Sequence, residues 1–173
     1  MLILEWQPDC GKSWEHQQGE LLAFVQKYGR GKISDESYRQ LMKLSRRDLL
    51  APGSSLLLAY VRTEEGPLLA GISCITDAGR KISVVVVHPL YRNCGIGSSL
   101  LSRQLAKLGE LSCRTAVENT ASLQMCLRAG LCATRLSTRR GRALLEFTGG
   151  LASKTTGNEM AAHVLPKQGK EGD

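Results

Sequence analysis

The chain has 173 residues, 42% of them hydrophobic and 23% charged, which fits one domain with one sizeable core and is short for two. The formal charge is +7, and the stretch from Leu151 onward balances three lysines against three carboxylates. The excess therefore lies in the body, which would attract an acidic acceptor, a phosphorylated ligand or nucleic acid. No run approaches the ~20 apolar residues that cross a bilayer, and no basic segment precedes an apolar run at the start, so membrane insertion and export are not expected. Six cysteines form no Cys-x-x-Cys pair and several lie in apolar runs, where a free thiol packs as a small hydrophobe. A soluble cytoplasmic protein without a metal site is expected.

In chain order, Leu2 to Trp6 reads as a short strand closed by Pro8 and Gly11. Ser13 caps a helix whose Trp14, Leu21, Val25 and Tyr28 share a face, ended by Gly29 and Gly31. A second helix is expected from Ser34 to Leu50, with Asp35 and Glu36 early and Arg46 and Arg47 late, the charge order a helix dipole favours. Ser55 to Arg62 and Pro67 to Thr76 form a hairpin about a short polar turn, and a second turn at Asp77 to Arg80 leads into Val84 to Val87. Four consecutive valines read as a strand covered on both faces, and Pro89, which has no N–H, ends it. A helix from Gly97 to Leu108, a strand from Leu111 to Val117, a helix from Ala121 to Ala129 and a final hairpin of Leu131–Thr138 with Arg142–Phe147 complete the body. This order predicts an α/β fold, a mixed, mostly antiparallel sheet flanked by helices. The domain is placed at residues 1–148, and residues 149–173, lacking periodicity, read as a flexible tail.

The chemistry concentrates where the valine strand meets the next helix. Glycines at 95 and 97 let the backbone approach a ligand, and the free amides of the helix start converge on it, which suits a phosphate or diphosphate. A P-loop would need Lys and Ser/Thr after its last glycine, where Ser98 and Ser99 stand; a Rossmann fingerprint would need glycine at position 100, which is Leu100. What remains is Arg92, two residues, Gly95, one residue, Gly97, directly after a valine strand and Pro89-Leu90-Tyr91.

That segment resembles the acyl-CoA loop of the GNAT N-acetyltransferase superfamily, and the element order is similar to that family's over residues 1–148. The resemblance implies acetyl-CoA as co-substrate, held by Arg92, Asn93, Cys94, Gly95, Ile96, Gly97 and Ser98, with the pantetheine arm along Val85 and Val87. It also implies an oxyanion donor at the amide of Val86 or Val87. Arg92 reads equally as a surface cation or a phosphate contact. A second similar segment has Asn119, Cys126, Gly130 and Leu131 where the family commonly has Asn, Tyr, Gly and Phe. Asn119 is expected both to cap its helix and to offer its amide to the pantetheine arm.

Cys126 replaces the tyrosine that protonates the leaving thiolate in many relatives; a thiol with a pKa near ~8.5 could do the same, or could simply pack. Glu118 is the nearest carboxylate in sequence and the candidate base, against a solvated strand-end charge; His88 is a further candidate against a structural role, and water is the alternative to all of them. Arg135, Arg139, Arg140 and Arg142 form the densest basic group, read as a solvated face or as a contact to CoA phosphate, an acidic acceptor or nucleic acid. With 5% aromatics and none interleaved among those arginines, nucleic acid ranks last. The implied function is transfer of acetyl from acetyl-CoA to a primary amine by direct attack. The missing tyrosine motivates the alternative of an acyl-CoA sensor or scaffold without turnover. The resemblance also allows a homodimer through the final strands.

Overall fold

The computed structural model describes residues 1–8, 11 and 13–150. The strands are β1 (Leu2–Glu5), β2 (Ser55–Thr63), β3 (Gly66–Thr76), β4 (Ile82–Val87), β5 (Glu110–Ala116), β6 (Cys132–Arg139) and β7 (Arg142–Gly150). The helices are α1 (Trp14–Gly29), α2 (Asp35–Met42), α3 (Arg46–Leu50), α4 (Ile96–Leu108) and α5 (Thr120–Arg128). No helix among the described residues is long and apolar enough to cross a membrane.

The expected α/β architecture of antiparallel strands flanked by helices is present, with its hydrogen bonding divided between two sheets. One has the order β1-β2-β3-β4 and the other β5-β7-β6, every pairing antiparallel. β4 and β5 face each other without a shared ladder, so the edge of the valine strand stays open.

Burial along β4 alternates, as a strand packed on both faces by different layers requires. Val84 and Val86 join Leu21, Phe24, Val25 and Leu41 in a core under α1 and α2, whereas Val85 and Val87 pack toward Ile96 and Leu100 of α4. A further core under β5 and β7 takes Leu101, Leu111, Cys113, Cys126 and Phe147. Within the sheet-facing side of α4, the buried Gln104 amide donates to Ser55 O and Ser73 O, both at 3.2 Å, which fixes that helix against β2 and β3.

The helix expected from Ser34 to Leu50 is broken in two. Ser45 Oγ accepts from Asp48 N–H at 3.2 Å while the Asp48 carboxylate accepts from Ser45 N–H at 2.9 Å, a capping box that starts α3 and competes with continuation of α2. The carbonyls that α2 loses are recovered by one side chain: the Gln18 amide donates to Leu41 O, Met42 O and Leu44 O at 3.2, 3.1 and 2.8 Å. At the other end of the chain β7 runs to Gly150, two residues past the expected boundary. Gly149 and Gly150, expected in the tail, thus belong to β7, and the rest of the expected tail, residues 151–173, lies outside the described residues.

Candidate functional site

His88 N–H donates to Ala70 O at 2.8 Å as the last rung between β4 and β3; Pro89 then opens a single 3₁₀ turn through Tyr91. The chain reverses through Asn93 and Gly95, whose φ values of +62° and +80° lie in the left-handed region. Asparagine tolerates that region and glycine occupies it freely. Gly95 is the N-cap of α4 and offers no side-chain acceptor, and no acidic residue sits in the first turn. The first intrahelical bond is Ser99 N–H to Gly95 O at 2.9 Å, so the amides of Ile96, Gly97 and Ser98 have no helical partner. Three donors stand together at the positive end of a thirteen-residue helix with no acidic residue in its first turn, an arrangement whose chemistry suits an anion.

The loop opens on a cleft of about 250 Å³. Its walls are Tyr28 and Gly29 from the end of α1, Lys32 from the turn that follows, Val85–Val87 from β4, and a stripe of α5. Cationic Lys32, Arg92 and Arg128 line it, and none of the lining residues is Asp or Glu. Gly97 is demanded by close approach: a Cβ there would lie 2.5 Å from Met125 Sδ and 3.2 Å from its Cγ.

The ladder fixes which strand groups face the opening. In an antiparallel pair the residues alternate in direction, and His88 turns its N–H toward β3, so Val86 and Val84 do likewise. The N–H and C=O of Val85 and Val87 therefore point to the open edge, where an extended amide ligand can pair with them. Of the two amides expected to act as oxyanion donor, Val87's faces the cleft and Val86's is spent on the ladder.

Among the expected loop residues, Arg92, Asn93, Gly95, Ile96, Gly97 and Ser98 line the cleft, as does Asn119. Cys94 does not line it; its thiol donates to Arg92 O at 3.5 Å. Arg92 is neither a free cation nor aimed wholly at the opening. Its guanidinium donates to Val87 O at 3.2 Å and to Tyr28 O at 2.8 Å, joining the end of β4 to the end of α1. Asn119 caps α5, accepting from Ser122 N–H at 3.3 Å.

The two expected catalytic residues stand elsewhere. Cys126 is 2% exposed and packs with Leu111, Cys113 and Phe147. A hydrogen bond with Cys113 together with burial pushes its thiol above the ordinary range, so it stays protonated inside the core. Glu118 is exposed, sits outside the cleft lining and lies 3.7 Å from the Arg142 guanidinium. His88 packs between Tyr28 and Tyr91 with its ring tilted by 58° and 49° to theirs and centroids 4.4 and 5.6 Å away, and its Nδ1 accepts from Leu90 N–H at 3.3 Å. Its ring is thereby committed to holding the turn.

Tyr28, Lys32, Ser122, Gln124, Met125 and Arg128 line the cleft without having been singled out in the sequence. A signal for most of the α5 set was available. From Asn119, steps of three give Ser122, Met125 and Arg128 on one stripe, whereas Leu123, Cys126 and Ala129 form the neighbouring stripe in the core. Among the described residues no group of three His, Cys, Asp or Glu side chains is arranged to hold a metal ion.

Against known proteins, the model of the acetyltransferase (GNAT) family matches residues 7–131. A ribosomal-protein-alanine N-acetyltransferase from Brucella melitensis superposes with a TM-score of 0.54 at 19% identity, over 87% of this chain and 100% of that one. A spermidine N-acetyltransferase chimera from Vibrio cholerae and hSSAT gives 0.57 at 12% identity, over 90% and 99%. AAC(6')-Ib, solved in complex with parmomycin and acetyl-CoA, gives 0.59 at 10% identity, over 88% and 94%. At such identities these likenesses concern the fold. No curated protein sequence matches the chain.

Proposed function

Because the chain belongs to the GNAT acetyltransferase family, we propose that it transfers an acetyl group from acetyl-CoA to a primary amine by direct attack. The observation that carries this reading is the row of free amides at Ile96, Gly97 and Ser98, opening on a cleft with three cations and no carboxylate. These amides would hold the diphosphate, with Asn93 and Gly95 shaping the bend. On the open edge the N–H and C=O of Val85 would pair with the amides of the pantetheine arm, which leaves the Val87 N–H for the thioester end of that arm, and Asn119 would offer its side-chain N–H from the opposite wall.

In the transfer, the amine nitrogen bonds to the thioester carbon, the C–S bond breaks, and the Val87 N–H donates to the oxygen that gains charge. One proton leaves the amine and one is taken up by the CoA thiolate. With no carboxylate lining the cleft and Cys126 in the core, the amine proton leaves through water, and the acceptor reacts as its neutral form. The rate should therefore rise with pH up to the acceptor amine's own pKa. Glu118→Gln should leave that profile in place.

The burial of Cys126 in the core and the position of Glu118 outside the cleft lining are the observations that favour the second reading, an acyl-CoA sensor or scaffold. One experiment separates the two: CoA thiol release from acetyl-CoA measured across a panel of amines. Amine-dependent release supports transfer and removes the sensor reading. Saturable acetyl-CoA binding with no release from any amine supports the sensor, and no binding at all overturns both.

A further inference from the structure

We propose that the amine acceptor is carried by an acidic peptide segment, which lies along the uncovered face of the β5-β7-β6 sheet. This rests on the acetyl-transfer reading and assigns the substrate class that reading leaves open.

The register of the sheet decides which side chains share that face. Leu111, Cys113, Leu145 and Phe147 point to the core beneath α4 and α5. The alternate positions point the other way, so one cross-strand row is Arg114–Glu146–Arg135, the next Ala116–Leu144–Ser137, and the last Arg142 beside Arg139. Arginines therefore flank a small, half-buried centre of alanine, leucine and serine, and beyond the Arg114–Glu146–Arg135 row the face continues through Ser112, Thr148 and Cys132.

Carboxylates neutralise only part of this charge. Glu146 lies 3.9 Å from Arg114, Glu118 lies 3.7 Å from Arg142, and Glu36 of α2 reaches across to Arg139 at 3.1 Å. Among the described residues Arg135 is exposed and has no ion-pair partner, the Glu146 opposite it lying against Arg114, and Lys32, on the cleft wall, adds a further cation. The face is contiguous with the reaction site at one end. Glu118, paired with Arg142, is followed directly by Asn119 of the cleft, and Arg139 is bridged to α2 beside the corner that carries Lys32.

Size and composition choose the occupant. Arg135 and Arg139 are four residues apart on one strand, about 13 Å, too far for one small amine and right for carboxylates four residues apart on one side of an extended peptide. No aromatic side chain stands on the face to stack a base, which disfavours single-stranded nucleic acid. A polycation such as spermidine would meet charge of its own sign.

The test uses the full-length protein and fluorescein-labelled ten-residue peptides with a single free amine and an otherwise acidic, neutral or arginine-rich sequence. Anisotropy at low salt should show the acidic peptide binding at least tenfold more tightly than the neutral one, with affinity falling as salt rises. Arg135→Glu combined with Arg142→Glu should abolish that preference while the calorimetric affinity for acetyl-CoA stays within twofold. Acetyl-CoA-dependent CoA release should follow the same order of peptides, with spermidine slowest. Equal or tighter binding of the neutral or basic peptides, displacement of the acidic peptide by an oligothymidine but not by a second acidic peptide, or a change of oligomeric state as the sole effect of the variant would each overturn the proposal. Because acetyl-CoA binding is measured separately, a parent protein that binds acetyl-CoA but shows no preference for the acidic peptide refutes this inference alone, whereas absent acetyl-CoA binding refutes the transfer reading beneath it.

Discussion

Replacing Gly97 by alanine interrogates the contact that seats α4 against α5 beneath the loop. The added Cβ would stand 2.5 Å from Met125 Sδ and 3.6 Å from Val87 Cγ2. An ordinary carbon–sulfur contact needs roughly 1 Å more than the first of these, so something must move, and the thioether is the softest of the neighbours. Over-packing of this kind costs about 1–3 kcal/mol. For a domain of this size about 2 kcal/mol lowers Tm by about 4–8 °C. Because the residue-97 amide survives, acetyl-CoA affinity should fall only as far as the helix start is displaced, about three- to tenfold.

The decisive arm is a double-mutant cycle with Met125→Ala. That change removes the clashing atoms at its own cost, and the pair should be more stable than the two separate losses predict by about 1 kcal/mol or more. Thermal unfolding by circular dichroism and calorimetric titration of acetyl-CoA supply the two readouts. A Gly97→Ala protein with unchanged Tm, or losses that simply add, would refute the close approach and with it the placement of the loop amides.

Three further outcomes follow from the same geometry. Arg92→Ala removes two hydrogen bonds that join β4 to α1, so it should lower stability by about 1 kcal/mol at this exposed site as well as weaken acetyl-CoA binding; a cation acting on phosphate alone would leave Tm unchanged. Cys126→Ala should retain amine-dependent turnover to within a few-fold, and a loss of turnover beyond a hundredfold with an intact fold would restore that thiol as the acid. Asp48 is held at about 2, below its ordinary 3.8, first by the Ser45 hydroxyl, then by the Ser45 amide and Lys81. A depressed carboxylate stabilises the fold above its unfolded pKa and loses that contribution as pH falls through its folded one. Asp48→Asn should therefore be less stable than the parent at pH 5, with the gap closing toward pH 2; a gap independent of pH would contradict the charged capping box.

The parts of the fold that are local in the sequence were legible there. Four valines, a proline, two spaced glycines and a leucine-rich helix specify strand, bend and helix without reference to the rest of the chain, and all the expected loop residues except Cys94 line the cleft. The division into two sheets was not legible, because the failure of β4 and β5 to share a ladder depends on how two distant units pack. Ser45 and Asp48 stood in capping-box spacing, so the break between α2 and α3 was readable, but the charge order along residues 34–50 outweighed it. Cys126 carried two readings, a motif position for the acid and a packed thiol on an apolar helix face, and helical phase assigns it to the core stripe with Leu123 and Ala129. Arg92 finds its acceptor at Tyr28, 64 residues away, a contact no local pattern announces.

The amides themselves give the most direct test of the anion site. In ¹H–¹⁵N correlation spectra titrated with CoA, and separately with pantetheine, which lacks the diphosphate, the signals of Gly95, Ile96, Gly97 and Ser98 should shift and saturate with CoA only. Those of Val85 and Val87 should respond to both ligands. CoA binding that leaves the residue 95–98 amides unmoved, or that moves them no more than pantetheine does, would contradict the account.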